Sequence, residues 1–259
     1  MHREAIMQAT TLDQVITQLQ NVTDLAEREG SRLGYFAALY TRVTLAVTAR
    51  IRAGFFDDGP QMERLDVAFA NLYLDAVDRR LRGDDGVRTA WRIAFDAAAD
   101  PDTSVLQHIY LGMNAHLLFD LPIAVATTCP TQKLSSLRAD FLRMNEVVDA
   151  EMGAFHEDLC KISRSLARFH QSMGWLWIAS SSATMRISRR FAWARAARLT
   201  GREEPEQALL IDGFDQTAGR IGAELIRPRA GIRSVFRAVR ASENEDVREV
   251  IRMLRPSQR

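Results

Sequence analysis

Apolar residues recur at three- and four-residue spacing along almost the whole chain. Leu65, Phe69, Leu72 and Ala76 stand at i, i+4, i+7 and i+11, which is one face of a helix. No stretch alternates apolar with polar like a half-buried strand, no Asn-Gly hairpin turn occurs, and no fixed period points to a solenoid. The chain is therefore expected to be all-α, a single-domain multi-helix bundle with a kinked central helix.

Glycines, prolines and capping residues divide the pattern. Thr11 with Gln14 has the form of a capping box opening a helix over 12–28, which Gly30 and Ser31 end. Further helices are expected over 33–53, 61–81 and 87–99, then from Asp102 or Thr103 as N-cap to a break at Pro122. Asp120 is expected to cap a short helix over 121–126. After the Cys129-Pro130-Thr131 turn, helices are expected over 132–170, 182–199 and 203–226, with two short pieces beyond Pro228. All seven prolines fall at or near these boundaries. The expected organisation is an N-terminal amphipathic helix (1–30), a helical core (31–227) and a tail of short helices (228–259).

Composition limits the functional classes. With 47% hydrophobic residues, 259 residues suffice for a large core. A net charge of +1 argues against a general nucleic-acid binder, and the basic tail after Arg227 is balanced by Glu243, Glu245, Asp246 and Glu249. Only Lys133 and Lys161 among the basic residues are lysines. That reads chiefly as codon bias, with a weaker hint of phosphate or carboxylate recognition. Two separated cysteines without CxxC spacing, and no signal-peptide pattern, fit a reduced cytoplasmic protein. Apolar runs such as residues 175–179 are far short of the roughly 20 residues of a membrane span.

The chemistry concentrates in residues 107–122, which place His108, Asn114, His116 and Asp120 in an otherwise apolar helical run. An unpartnered buried polar group costs about 2–7 kcal/mol, so such groups are paired or used. His116 and Asp120 are four apart and meet on one helix face, the arrangement of a general acid–base with its tautomer fixed by a carboxylate. His108 is eight residues from His116, about 12 Å along the axis, too far to share one metal on a straight helix. Asn114, His108, Tyr40, Arg42, Asp66, Asn71, Tyr73 and Trp91 are expected to orient a small polar substrate, with Asp140 and Asn145 adding to the pocket from the long helix. His156 and Glu151 read as a solvated stripe.

These residues support a small-molecule enzyme, a tailoring or cyclising catalyst of a bacterial biosynthetic pathway. No cofactor is called for. The alternative is a metal-dependent hydrolase in which His108, His116 and Asp120, with Asp75 or Asp149, hold zinc or iron. A third reading is a non-enzymatic helical binding protein. HExxH, GxSxG and phosphate-cradling glycine loops are absent. A small molecule is the expected partner, without nucleic acid or membrane span, and a homo-oligomer stays open.

The segments Tyr40-Thr41-Arg42-Val43-Thr44, residues 65–74, Trp91-Arg92-Ile93-Ala94-Phe95 and above all Gly112-Met113-Asn114-Ala115-His116 with Asp120-Leu121-Pro122 resemble an uncharacterised family of high-GC bacteria. The similarity spans about residues 31–226. It implies the fold and the place of the site and carries no known reaction. The zinc-dependent phospholipase C and single-strand nuclease group is also all-helical, but its N-terminal tryptophan ligand and secretory signal have no counterpart here.

Overall fold

A computed structural model describes residues 6–129 and 131–256; Pro130, part of the expected turn, and the outermost residues of both ends lie outside them. The helices are α1 (Leu12–Glu29), α2 (Gly34–Arg52), α3 (Gly59–Arg82), α4 (Thr89–Asp96), α5 (Val105–Ala115), α6 (Leu121–Thr128), α7 (Leu134–Ile162), α8 (Arg164–Leu199), α9 (Glu204–Ile226), α10 (Ala230–Arg240) and α11 (Val247–Leu254). The described residues contain no strand, only an isolated bridge between Ser163 and Glu243. The all-α bundle expected from the periodicity is the fold observed.

At its centre α5 and α6 run as one rod through a wide π turn, His116–Asp120. Helices α2, α4 and α9 pack on α5, while α3 and α8 pack on α6. Helix α1 lies along α2, and α11 covers α1, α2 and α7. The rod Val105–Thr128 is long and apolar enough to cross a membrane by length and composition, which corrects the expectation that every apolar run is too short. It is the core of this bundle, with 67% of its apolar window buried inside the protein.

Pro122 does not break the rod, contrary to expectation. A helical proline lacks an N–H and crowds the carbonyl four residues back, here that of Leu118. The π turn widens the helix at that place, and the Arg195 guanidinium of α8 donates to the Leu118 carbonyl. Asp120 makes no side-chain cap for α6. Other boundaries also move. Ser104, not Asp102 or Thr103, caps α5 in a reciprocal box with Gln107. The long segment breaks at Ser163, whose extended backbone and hydroxyl cap α8 and whose side chain meets Ser242 at 2.8 Å. Helix α8 then runs unbroken to Leu199 apart from a kink at Met173.

Helix α5 approaches α2 closely because residue 112 has no side chain. A Cβ at Gly112 would collide with the Phe36 ring. Gly112→Ala is expected to destabilise the protein by about 1–3 kcal/mol through overpacking. A urea unfolding curve reads this directly, and an unchanged midpoint would show that Phe36 yields without cost.

Candidate active site

The π turn still places residues 116 and 120 on one side of the rod. His116 Nδ1 lies 3.0 Å from Asp120 Oδ2, and the Trp91 indole N–H of α4 donates to that same oxygen at 3.0 Å. An oxygen accepting from Trp91 is best completed by a second N–H, so Nδ1 is assigned the proton and Nε2 the lone pair. Nε2 has no protein partner. Burial holds the His116 pKa well below its ordinary 6.5, so the ring is neutral. Burial pushes the Asp120 carboxyl upward, and the Trp91 hydrogen bond pulls it back.

The imidazole is fixed by aromatic rings. Phe69 stacks on it at 3.5 Å between centroids with 7° between planes, and Tyr40 meets it edge-on at 4.4 Å. Phe36, Tyr73 and Trp91 complete the surround. Ring planes set this way orient the nitrogens without supplying competing hydrogen bonds.

His116 lines a cavity of about 90 Å³ enclosed by α2, α3, the rod, α7 and α8. Five of the nine methionines, Met62, Met113, Met144, Met152 and Met185, form its wall together with aliphatic and aromatic side chains. Tyr40, Asp66, Glu151 and Arg189 supply polar groups. The Tyr40 hydroxyl, Asp66 Oδ2 and Arg189 Nε lack any partner, as does His116 Nε2. Burial raises Asp66 to about 7 against the pull of Arg189, and lowers Arg189 to about 10 against the pull of Asp66. Burial first, then Asp66 and Asp120, holds the Tyr40 hydroxyl well above 10.

Asp120 sits behind His116 rather than on the cavity wall. Trp91 is its hydrogen-bond partner, and Tyr73 packs edge-on between Phe36 and Tyr40. Asn114 faces a second cavity of about 370 Å³ between α5, α7, α8 and α9, where its amide donates to the Ala218 carbonyl at 2.8 Å and its oxygen is unpartnered. Met113, Leu117, Met152, Phe155 and Met185 separate the two cavities. His108 lines a void of about 20 Å³ on the other side of Phe36, with its pKa lowered to about 3 by burial and by Arg32. It does not join His116.

Four other expected substrate contacts hold the fold instead. Arg42 pairs with Asp158 of α7 at 2.6 Å and also reaches the Arg255 carbonyl. Asn71 makes two backbone hydrogen bonds to Ala9, at 2.8 Å each. Asp140 accepts from the backbone of Asp57 and Asp58, at 2.9 and 2.7 Å, ahead of α3. Asn145 bonds the Leu142 carbonyl one turn back. Three of the four are engaged by residues distant in the chain, which helical spacing cannot reveal, while Arg42 Nη1 and Asn145 Oδ1 stay unpartnered.

His156 is not solvated, and Glu151 is so only in part. His156 is buried, stacks on Trp177 at 4.3 Å, and has its pKa lowered to about 4 by burial and His170. Glu151 is half-buried on the first cavity. Arg189 is the residue the sequence reading missed. Its signal is position: with Met185, Ala192 and Ala196 it falls on the buried stripe of α8.

No group of three His, Cys, Asp or Glu suited to a metal occurs among the described residues. Asp75 pairs with Arg79, and Asp149 with Arg186, so neither joins the histidines.

A family model described as a family of unknown function (DUF5995) matches residues 12–228. The chain belongs to the DUF5995 family. No curated protein and no solved structure matches it. The DUF5995 match includes α1, which the sequence resemblance left out, and every residue of the His116 cavity.

Two outcomes follow for this DUF5995 protein. Its folded His116 titrates below the unfolded ring, so the unfolded chain takes up the proton and this group's share of stability is lost as pH falls below about 6.5. The His116 ring resonances are expected to stay flat from about pH 8 to 5.5 by NMR; an inflection near 6.5 would mean a solvated ring. Asp120→Ala leaves two buried N–H donors without an acceptor and is expected to cost about 2–4 kcal/mol in denaturant unfolding.

Proposed function

We propose that this protein is an enzyme acting on an apolar small molecule, with His116 as general acid–base and Asp120 as the residue that positions it. One observation carries the reading: a neutral imidazole on a cavity wall has one nitrogen tied to a buried carboxylate and the other without a partner. A base held this way contributes about 10²–10⁴-fold to a proton transfer. The chiefly hydrocarbon walls favour ring closure or elimination over hydrolysis, in keeping with a tailoring or cyclising step in small-molecule biosynthesis. Tyr40, edge-on to the imidazole, is placed to donate its hydroxyl to a developing oxyanion.

The chiefly hydrocarbon lining of the cavity also favours a second reading, a non-catalytic carrier of apolar ligands. Untargeted mass spectrometry of a metabolite extract incubated with the protein separates the two. Wild type is expected to deplete an apolar compound, and His116→Ala to lose that turnover by about 10²-fold or more with helical circular dichroism intact. Asp120→Asn is expected to lower kcat more than it changes KM and to shift the pH–rate profile. Retained turnover in His116→Ala rejects the catalytic reading. A compound bound by wild type but never converted supports the carrier.

A further inference from the structure

The His116 cavity contains two opposite charges that do not satisfy each other. Asp66 of α3 stands one helical turn before Phe69, the ring stacked on His116. Arg189 enters from α8, where its Nη2 donates to the Phe141 carbonyl at 2.8 Å and its guanidinium covers the Phe141 ring at 4.3 Å. Both side chains are more than nine-tenths buried, both line the cavity, and they interact electrostatically without forming an ion pair. Asp66 Oδ2 and Arg189 Nε are left without partners, and the Tyr40 hydroxyl beside them is free as well. Leaving buried charge so poorly matched is costly unless something else completes it.

We infer that the cavity takes an aliphatic carboxylic acid, with its carboxyl held between Arg189 and Asp66 and its chain along the methionine-lined wall. This deepens the catalytic reading by naming a substrate class, and its binding step does not depend on that chemistry. An arginine fork matches a carboxyl better than it matches a single hydroxyl. The charges of Arg189 and Asp66 cancel, so a carboxylate arrives with one proton, shared with Asp66. A carboxyl held there also lies along the wall that carries Tyr40 and His116. The cavity is several times the roughly 10–15 Å³ that one water needs, and methionine side chains can give way to a longer chain. The titratable groups facing Asp66 across the cavity are Tyr40 of α2, His116 of the π turn, Glu151 of α7 and Arg189 of α8.

Calorimetric titration of the full chain with octanoic acid, and with 1-octanol as the comparison, tests this. At about pH 8.5, where an Asp66 raised to about 7 is ionised in the free protein, octanoate is expected to bind one per chain with uptake of about one proton, read from buffers of different ionisation enthalpy. Arg189→Met is expected to weaken octanoate at least tenfold while changing 1-octanol less than threefold. Arg189→Lys, which keeps the charge without the fork, is expected to fall between. Asp66→Asn removes the proton uptake and Glu151→Gln keeps it. Saturable octanoate binding by wild type without any conversion upholds this inference while the catalytic reading fails, so the two are separated. Octanoate binding that ignores Arg189→Met in a folded variant overturns the inference, as does failure of octanoate to bind saturably or a preference for 1-octanol.

Discussion

A proline in the middle of a buried helix removes one hydrogen bond and frees one carbonyl, and the centre of this protein is organised around that defect. The rod stays continuous because the π turn makes room for the ring and Arg195 supplies the missing donor. The same widened turn carries His116 and Asp120. The carboxylate is sealed in, so its two N–H partners must come from protein, and both do. Trp91 thereby ties α4 to the rod at the point where the rod is least regular. A local irregularity in one helix thus dictates where a second helix docks and which imidazole nitrogen stays available.

Much of the fold was legible in the sequence because helical periodicity and capping chemistry are local. Thr11 caps α1 as its pattern implies, although the Gln14 side chain accepts from Thr10 rather than closing the box on Thr11, and the glycine at residue 30 ends the helix in the left-handed conformation at φ +64°. The His116–Asp120 contact was legible for the same reason, being four residues apart on one helix. What stayed hidden depends on partners distant in the chain. Ser163 looks like any helical serine until Ser242 and Glu243 approach it. Pro122 reads as a break because the donor that rescues its helix lies on Arg195, 77 residues beyond the Leu118 carbonyl it reaches. Asn71 and Asp140 resemble ligand-binding groups because nothing in the sequence shows that backbone amides will occupy them.

The polar groups of the cavity differ from those polar residues in one physical respect. Asn71 and Asp140 are matched by protein atoms at both polar ends, and Arg42 is paired with Asp158 away from the cavity, so the fold alone explains their places. Asp66, Arg189, Tyr40 and His116 each retain an atom that the protein does not match, and all four border one apolar hollow. A folded chain tolerates such a concentration only when the surrounding packing supplies the stability, as the large core around α5 and α7 does here. Function is inferred from this unevenness, since structural polar groups and receptive ones are chemically the same residues in different states of satisfaction.

The partition of Met113, Leu117, Met152, Phe155 and Met185 between the two hollows has an evolutionary consequence. Unbranched thioethers swing aside by rotamer changes, so shortening one or two of them would merge the compartments without disturbing the dyad or the charged end. Relatives built on this plan are free to diverge in the length of molecule they admit while retaining the same reactive corner.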